Sequence, residues 1–517
     1  CQGGGSIGFA RGKYAFSGSS TERQFLDFAS AYIDASWLYN ADVERTGVEG
    51  RLRLPGNKFP DHGPSSAPQG HPSCRAPKVA DGRAGENLGL LHIYLLFGRE
   101  HNRLCGELAA ANPAWDDERL YQEARVRVIA LVQKVTLEEY APNLLGVSLK
   151  NQAASYDPSV DPRINLLFAT AAYRYGHSAI PGVYHVGNER VALRDMQFQT
   201  CIQMLDSDAV IEGMSETPIN AVDTQFVADV RDHLKTGFSF NSGASDLFSF
   251  GIQRGRDVGL PKYNDARQML GLPRWTSFEA MTQGTGVDAN VLRDLYGNVD
   301  EVDFYVGGLM ERKEKVTKGE GSEELGESFA AVIRDQFQRL RIGDRFWYEW
   351  HPELVAFVQG RGLRQIMADN TPGGDQGHHP FVLPQAPADS PVAVQQQQPL
   401  GLFVDAVQTE YPSLDGSGNN RLNPELGRAG DFYLSPSIRS YSDGVGALVA
   451  GPSARLVSNR LGSQMLTAST SAHSVAMLAW GQAIAHDVGD LHGNGSDPAP
   501  IAVPQCDKRF DEDCQGG

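Results

Sequence analysis

Apolar residues recur at three- and four-residue spacing through three long stretches: LGLLHIYLLFGREHNRLCGELAA (88–110), ERLYQEARVRVIALVQKVTLEEYAPNLLG (118–146) and ESFAAVIRDQFQRLRIGD (327–344). Residues so spaced share one helical face, so each stretch predicts an amphipathic helix packed on a core. Strict apolar–polar alternation, the mark of a half-buried strand, is scarce, and the predicted fold class is mainly α with few short strands. One stretch breaks the pattern. Residues 371–401, rich in Pro, Gly and Gln, carry no helical period and predict a flexible connector or loop. This connector divides the chain into residues 1–370 and 402–517, and its adjacent His378 and His379 read as solvated side chains rather than a metal site.

With 41% hydrophobic and 21% charged residues among 517, the composition is that of an ordinary globular protein with room for a substantial core. A formal net charge of -17 disfavours nucleic acid and anionic membranes as partners, though it leaves room for a local basic pocket. No apolar run of about eighteen residues is present to span a bilayer, and the opening CQGGGSIGFARGK lacks the order of a signal peptide. Six cysteines, Cys1, Cys74, Cys105, Cys201, Cys506 and Cys514, show no zinc-type spacing; they are too few for a disulfide scaffold and compatible with one or two disulfides. A single glycosylation sequon, at Asn494, is weak evidence.

Four short segments carry the candidate chemistry. In SVAMLAWGQAIAHD, Gln482 and His486 lie one helical turn apart on one face, backed by small and apolar residues. In ATAAYRYGHSAI, His177 follows an apolar helix, where its imidazole could ligate iron. Arg83 and Glu86, three residues apart in DGRAGEN, precede the first long helix and can face one site. In FASAYIDASWLYN, Ser30, Tyr32, Asp34 and Ser36 alternate, an oxygen-rich arc suited to a hard cation such as calcium. Each segment alone has a plain structural explanation: a packed histidine, a surface ion pair, a turn. It is their joint occurrence that points to a redox site.

Together these segments resemble the animal haem peroxidases, of the peroxidase/cyclooxygenase superfamily. AWGQAIAHD resembles the distal helix, DGRAGEN the catalytic-arginine segment, LLFGREHNRLC the helix after it, YRYGH the proximal ligand segment and FGIQRGRDVGLPKYN (250–264) a further signature. RIGDRFWYE and QIMADNT resemble the end of the family's catalytic domain, and SLDGSGNNRLNPELGRAG, YSDGV and ARLVSNRL its start. The resemblance covers nearly the whole chain except the connector, so 1–370 and 402–517 form one catalytic domain. Its order is rotated: the segments that open the family's domain stand here in 402–517. The CQGG at residues 514–517 repeats that at 1–4, and overlaying the two restores one continuous family segment. A unit cut from a tandem repeat, a permuted gene and reordered fragments would all give this order.

The resemblance implies a b-type haem bound by His177, with Arg174 pairing a propionate. It implies His486 as acid–base catalyst, which contributes about 10²–10⁴-fold, with Arg83 stabilising developing charge and Gln482 holding a distal water or a halide. It implies a calcium ion held by Asp487, Ser30, Tyr32 through its carbonyl, Asp34 and Ser36, tethering the distal helix. Hydrogen peroxide and small donors would be the partners, and the family's location is secreted or extracellular.

Three departures narrow this picture. Ala485 stands where doubly esterified members carry an Asp, which leaves at most one haem ester, through Glu86. Asn87 stands where a sulfonium-forming methionine occurs, which weighs against chloride and favours bromide, iodide, thiocyanate or phenols. Gly251 stands where an Asn commonly accepts from the proximal histidine, so His177 is expected to lack that partner. Two other readings are a fatty-acid dioxygenase, which would need a tyrosine where Arg174 stands, and a catalytically silent matrix or adhesion module, which has no need of Gln482, His486, Arg83 and His177 together.

Overall fold

A computed structural model describes residues 6–17, 21–39, 49, 51–52, 81–150, 154–197, 206–234, 245–313, 324–372, 374–375, 377–384, 410–463, 470–504 and 507. The helices that position the site are α1 (Leu88–Ala111), α2 (Asp117–Val135), α3 (Gly176–Ala179), α4 (Ser207–Glu216), α5 (Leu247–Asp257), α6 (Phe304–Met310), α7 (Glu327–Gly343) and α8 (Val475–Val488). Their starts are fixed locally. Asn87 caps α1 by accepting from Leu90 N at 2.9 Å, and Asp116 caps α2 by accepting from Arg119 N at 2.8 Å. The apolar period of 118–146 does not run as one α-helix: α2 passes through a π turn at Thr136–Tyr140 into a last short helix, Ala141–Leu145.

α8 lies at the centre. It packs on α1 and α4, and its residues are buried on almost every side. The partly open positions are Leu478, Gln482 and Ala485, a single stripe at helical spacing. Gly481 faces the other way: a Cβ there would sit 2.5 Å from the Tyr140 hydroxyl, so the missing side chain allows α8 to approach the π turn.

The strands form five two-stranded antiparallel ladders. β1 (Ser6–Ile7) pairs with β10 (Ile501–Ala502) and β2 (Ala10–Gly12) with β9 (Gly493–Pro498), so the beginning of the described chain lies beside its last strands. β3 (Tyr14–Ala15) pairs with β4 (Gln24–Phe25), and β5 (Val183–Val186) with β6 (Glu189–Ala192). β7 (Pro218–Asn220) pairs with β8 (Thr470–Ser474), which leads into α8.

Part of the expected connector is built into this core. Phe381 is fully buried, its carbonyl accepts from Ser474 N, and Val382 bridges to His473. His379 is therefore not the solvated side chain expected: its Nε2 lies 3.1 Å from Glu139 Oε2 in the interior. The buried Phe381 ring fixes the segment where composition alone indicated a loop. Of the six cysteines, only Cys105 lies within the described residues; it is buried, with Sγ 3.3 Å from His101 Nε2. No described helix is long and apolar enough to cross a membrane.

Candidate active site

A cavity of about 450 Å³ opens beside α8. The partly open stripe of α8 lines it, with His486 one position further on; Arg83, Glu86 and Asn87 come from the turn before α1, and Gly489, Asp490 and Leu491 from the chain after α8. Arg174 and His177 line the same cavity, from the Ala172–Arg174 turn and α3. Six site residues scattered from 83 to 486 thus meet around one space: Arg83, Glu86, Arg174, His177, Gln482 and His486.

His486 is poised as a base. Burial, reinforced by the Arg83 charge, pulls its imidazole down to about 3, so the ring is neutral near pH 7. Nδ1 lies 3.2 Å from the Tyr94 hydroxyl, while Nε2 is 3.7 Å from Glu86 Oε2, too far for a hydrogen bond. In the tautomer in which Tyr94 accepts from Nδ1–H, the Nε2 lone pair is free. Arg83 is held tightly: Nε and Nη2 donate to Asp81, Nη2 also to the His486 carbonyl at 3.1 Å, and Nη1 to the Gly489 carbonyl at 3.0 Å. The Arg83 charge and hydrogen bond outweigh burial and hold Asp81 below its ordinary range. Gln482 spends its amide on neighbours, donating to Glu86 Oε2 at 3.0 Å and accepting from Asn87 Nδ2 at 2.5 Å. Burial pushes the Glu86 carboxyl up to about 7, leaving it substantially protonated at neutral pH.

On the His177 side, Nδ1 is buried without a hydrogen-bond partner among the described residues, which leaves Nε2 as the nitrogen for the cavity. Burial, then the Arg174 charge, takes this imidazole to about 3, the neutral form a metal needs. The position of Gly251 explains the missing partner in part: a Cβ on it would meet the Tyr305 ring at 2.3 Å, and the Tyr305 hydroxyl is turned to the Arg174 carbonyl at 3.2 Å. Arg174 donates through Nε to the Ala169 carbonyl, while burial and neighbouring Arg254 lower its guanidinium to about 10. A part-buried cation with no ion pair among the described residues fits an anionic group of a cofactor. The unpartnered imidazole, this arginine and the apolar walls together fit a haem.

A second cluster lies against the other side of His486. Asp487 accepts from Ala35 N at 3.1 Å, from Ser36 N at 2.6 Å and from Ser36 Oγ at 3.0 Å; Ser30 Oγ donates to Asp34 Oδ2 at 2.7 Å. Burial raises both carboxylates, Asp34 to about 6, and their mutual repulsion adds to the shift on Asp487. Two buried acids facing one another with hydroxyls between them suit a hard cation. Tyr32 is less clearly part of this set: its carbonyl accepts from Asp34 N at 3.0 Å and its hydroxyl donates to the Leu426 carbonyl at 2.7 Å.

Sequence reasoning passed over Tyr94, Asp81 and Asp490. Tyr94 had a weak signal, a hydroxyl inside the apolar run LLHIYLLF, and Asp81 stood at the head of DGRAGEN. Asp490 had none beyond its nearness to His486.

A mainly helical fold with two neutral imidazoles lining one largely apolar cavity, and a part-buried arginine beside them, is that of the peroxidase–cyclooxygenase superfamily. The family described as animal haem peroxidase matches residues 2–381 and 411–516, and the chain belongs to it. Thyroid peroxidase of Sus scrofa is 33% identical over 443 residues, 77% of this chain and 46% of its own length. The chain therefore spans about half of that relative. The solved structure of peroxidase A from Dictyostelium discoideum superposes with a TM-score of 0.58 at 30% identity, covering 66% of this chain and 69% of that one. Fatty acid alpha-dioxygenase from Arabidopsis thaliana, at 19% identity and a TM-score of 0.52 over 74% of this chain and 66% of its own, shares the fold alone.

Proposed function

We propose that the chain is a haem peroxidase that reduces hydrogen peroxide and oxidises small donors of the halide, pseudohalide and phenol classes: bromide, iodide, thiocyanate or phenols. The observation that carries this reading is the pair of neutral histidines on one cavity, His486 with a free Nε2 and His177 with a cavity-side nitrogen. Haem held by His177 supplies the iron chemistry with peroxide. His486 takes the peroxide proton at Nε2 and returns it to the departing oxygen, which contributes about 10²–10⁴-fold. Arg83, fixed by Asp81 and two carbonyls, supplies positive charge without reorganising during the reaction. Arg174 pairs with a propionate. Gln482 donates one amide N–H to Glu86 and accepts from Asn87, which leaves its second N–H for a distal water or a halide.

Glu86, partly protonated and lining the cavity, is the group for a single haem ester. Asp34, Asp487, Ser30, Ser36 and the Tyr32 carbonyl are the calcium ligands in this reading, and the ion anchors the residue next to the catalytic histidine. The family resemblance points to an extracellular location. The dioxygenase alternative gains nothing at Arg174, where it would need a tyrosine.

Reconstitution with haem tests the reading. A Soret band with peroxide-dependent oxidation of iodide or a phenol is expected. A chain that stays colourless, or a coloured one that leaves peroxide and both donors untouched, overturns it.

A further inference from the structure

The electrostatics of the cavity edge distinguish between donor classes, and the distinction rests on the peroxidase reading above. Among the described residues lining the cavity, Arg83 and Arg174 are the two arginines and none is a lysine. Arg174 belongs to the propionate in that reading, so an anionic donor would have to use Arg83. A guanidinium has five N–H donors, and Arg83 spends four of them within the protein: Nε and one Nη2 hydrogen on Asp81, the other Nη2 hydrogen on the His486 carbonyl, one Nη1 hydrogen on the Gly489 carbonyl. Its remaining Nη1 side faces the Asp490 carboxylate at 3.6 Å. A halide arriving here meets a cation with one N–H left, flanked by two carboxylates.

Asp490 is the member of this group at the cavity edge that is built to stay there. Its N–H donates to Asp27 Oδ1 at 2.8 Å, its carbonyl accepts from Phe28 N at 3.0 Å, and its Oδ2 lies 2.7 Å from His492 Nε2. Its side chain keeps 23% exposure while lining the cavity. His492, in turn, is half open and stacks on Phe28 with ring centres 4.3 Å apart and planes 7° from parallel; Lys13 Nζ lies 5.3 Å from the same Phe28 ring. Beyond the lining residues, the stacked Phe28–His492 pair thus adjoins this fixed, part-exposed carboxylate.

We propose that Asp490 is a specificity-determining residue and that the enzyme's donor is an uncharged or cationic aromatic molecule, a phenol or an aromatic amine, in preference to a halide anion. The carboxylate attracts an ammonium or accepts from a phenolic hydroxyl, the ring pair offers a stacking surface, and the same charge lowers the local concentration of halide. The substitution Asp490→Asn tests this, because the amide keeps the size and an oxygen for His492 while removing the charge.

Haem-loaded wild-type and D490N chains are titrated with tyramine, guaiacol and iodide in two ways: by Soret difference spectra without peroxide, which read binding alone, and by steady-state turnover with peroxide. Asp497→Asn, which removes a carboxylate from strand β9 at its ion pair with Arg23, controls for net charge. The expected result is that wild type uses both aromatic donors at higher kcat/KM than iodide. D490N should weaken tyramine binding about 5–10-fold, move guaiacol about 2-fold, and lower the iodide KM, while D497N changes none of these beyond about 2-fold. Wild type that prefers iodide, or D490N that leaves both tyramine and iodide where they were, overturns the inference and leaves the peroxidase reading standing. A chain without a Soret band or peroxide turnover overturns both.

Discussion

His486 owes its readiness as a base to three groups that act on different properties of the ring. Burial and the Arg83 charge keep it neutral; Tyr94, at 3.2 Å, holds the Nδ1 edge of the ring and can stabilise the tautomer that leaves Nε2 unprotonated. Removing the ring should therefore cost far more than removing its partner. His486→Ala is expected to slow the peroxide reaction by about 10²–10⁴-fold with the Soret band retained. Tyr94→Phe is expected to slow it by roughly 2–10-fold, the worth of one net hydrogen bond. Stopped-flow recording of the Soret change measures both, and a Y94F rate equal to wild type would show that Tyr94 only fills space. Glu86 carries a separate expectation. If its carboxyl forms the ester, acid–acetone should leave haem on the wild-type chain and strip it from Glu86→Gln; complete extraction from both would exclude the link.

At the scale of elements, α8 depends on what its far side lacks. A Cβ at Gly481 would stand 2.5 Å from the Tyr140 hydroxyl, which itself lies 2.7 Å from that of Tyr175. Gly481→Val is expected to destabilise the fold by about 1–3 kcal/mol through overpacking, seen as a lower denaturant midpoint, and to broaden or shift the Soret band as the stripe that carries Gln482 is displaced. A midpoint at the wild-type value would mean that the π turn yields freely. The helices α1 and α7 were legible in the sequence almost to the residue, because long periodic stretches declare themselves. α8 was legible through its motif and not its period: it is apolar nearly all round, and the face that matters is marked only by where Leu478, Gln482 and Ala485 stay partly open. Tyr94 and Asp490 were not assigned because their contacts to His486 and Arg83 span hundreds of residues, which spacing cannot express, while Asp81, two residues from Arg83, lay within the DGRAGEN motif and was passed over. His379 and Phe381 fell in a stretch whose composition is that of a loop; one buried ring and one hydrogen-bond contact to Glu139 outweigh that composition.

The whole molecule carries an unusual set of buried acids near the site, and their shifts set its stability against pH. Burial pushes Asp27 up to about 8, Asp344 and Glu86 to about 7 and Asp34 to about 6; Asp487 is raised by burial and by Asp34. In the unfolded chain such groups lose their protons near pH 4. Between that value and their folded values the native state holds more protons than the unfolded one, so stability falls as pH rises through this range. The buried histidines act in the opposite sense: His92 at about 4, His177 and His486 at about 3 make the native state gain stability with rising pH, but that gain is complete near the ordinary histidine value of about 6.5. Lys313, lowered to about 8, opposes the trend only above that pH. The acids therefore dominate between about pH 6.5 and 8, where each extra proton held by the native state costs about 1.4 kcal/mol per pH unit. Without calcium, the thermal midpoint is expected to fall across this window. With calcium, ionised Asp34 and Asp487 gain a counter-charge, so the stabilisation by the ion should be larger at pH 8 than at pH 6.5. Scanning calorimetry in chelator and in millimolar calcium at both pH values decides it: a midpoint that climbs through the window, or a calcium shift equal at the two ends, would show that these carboxylates do not carry the coupling.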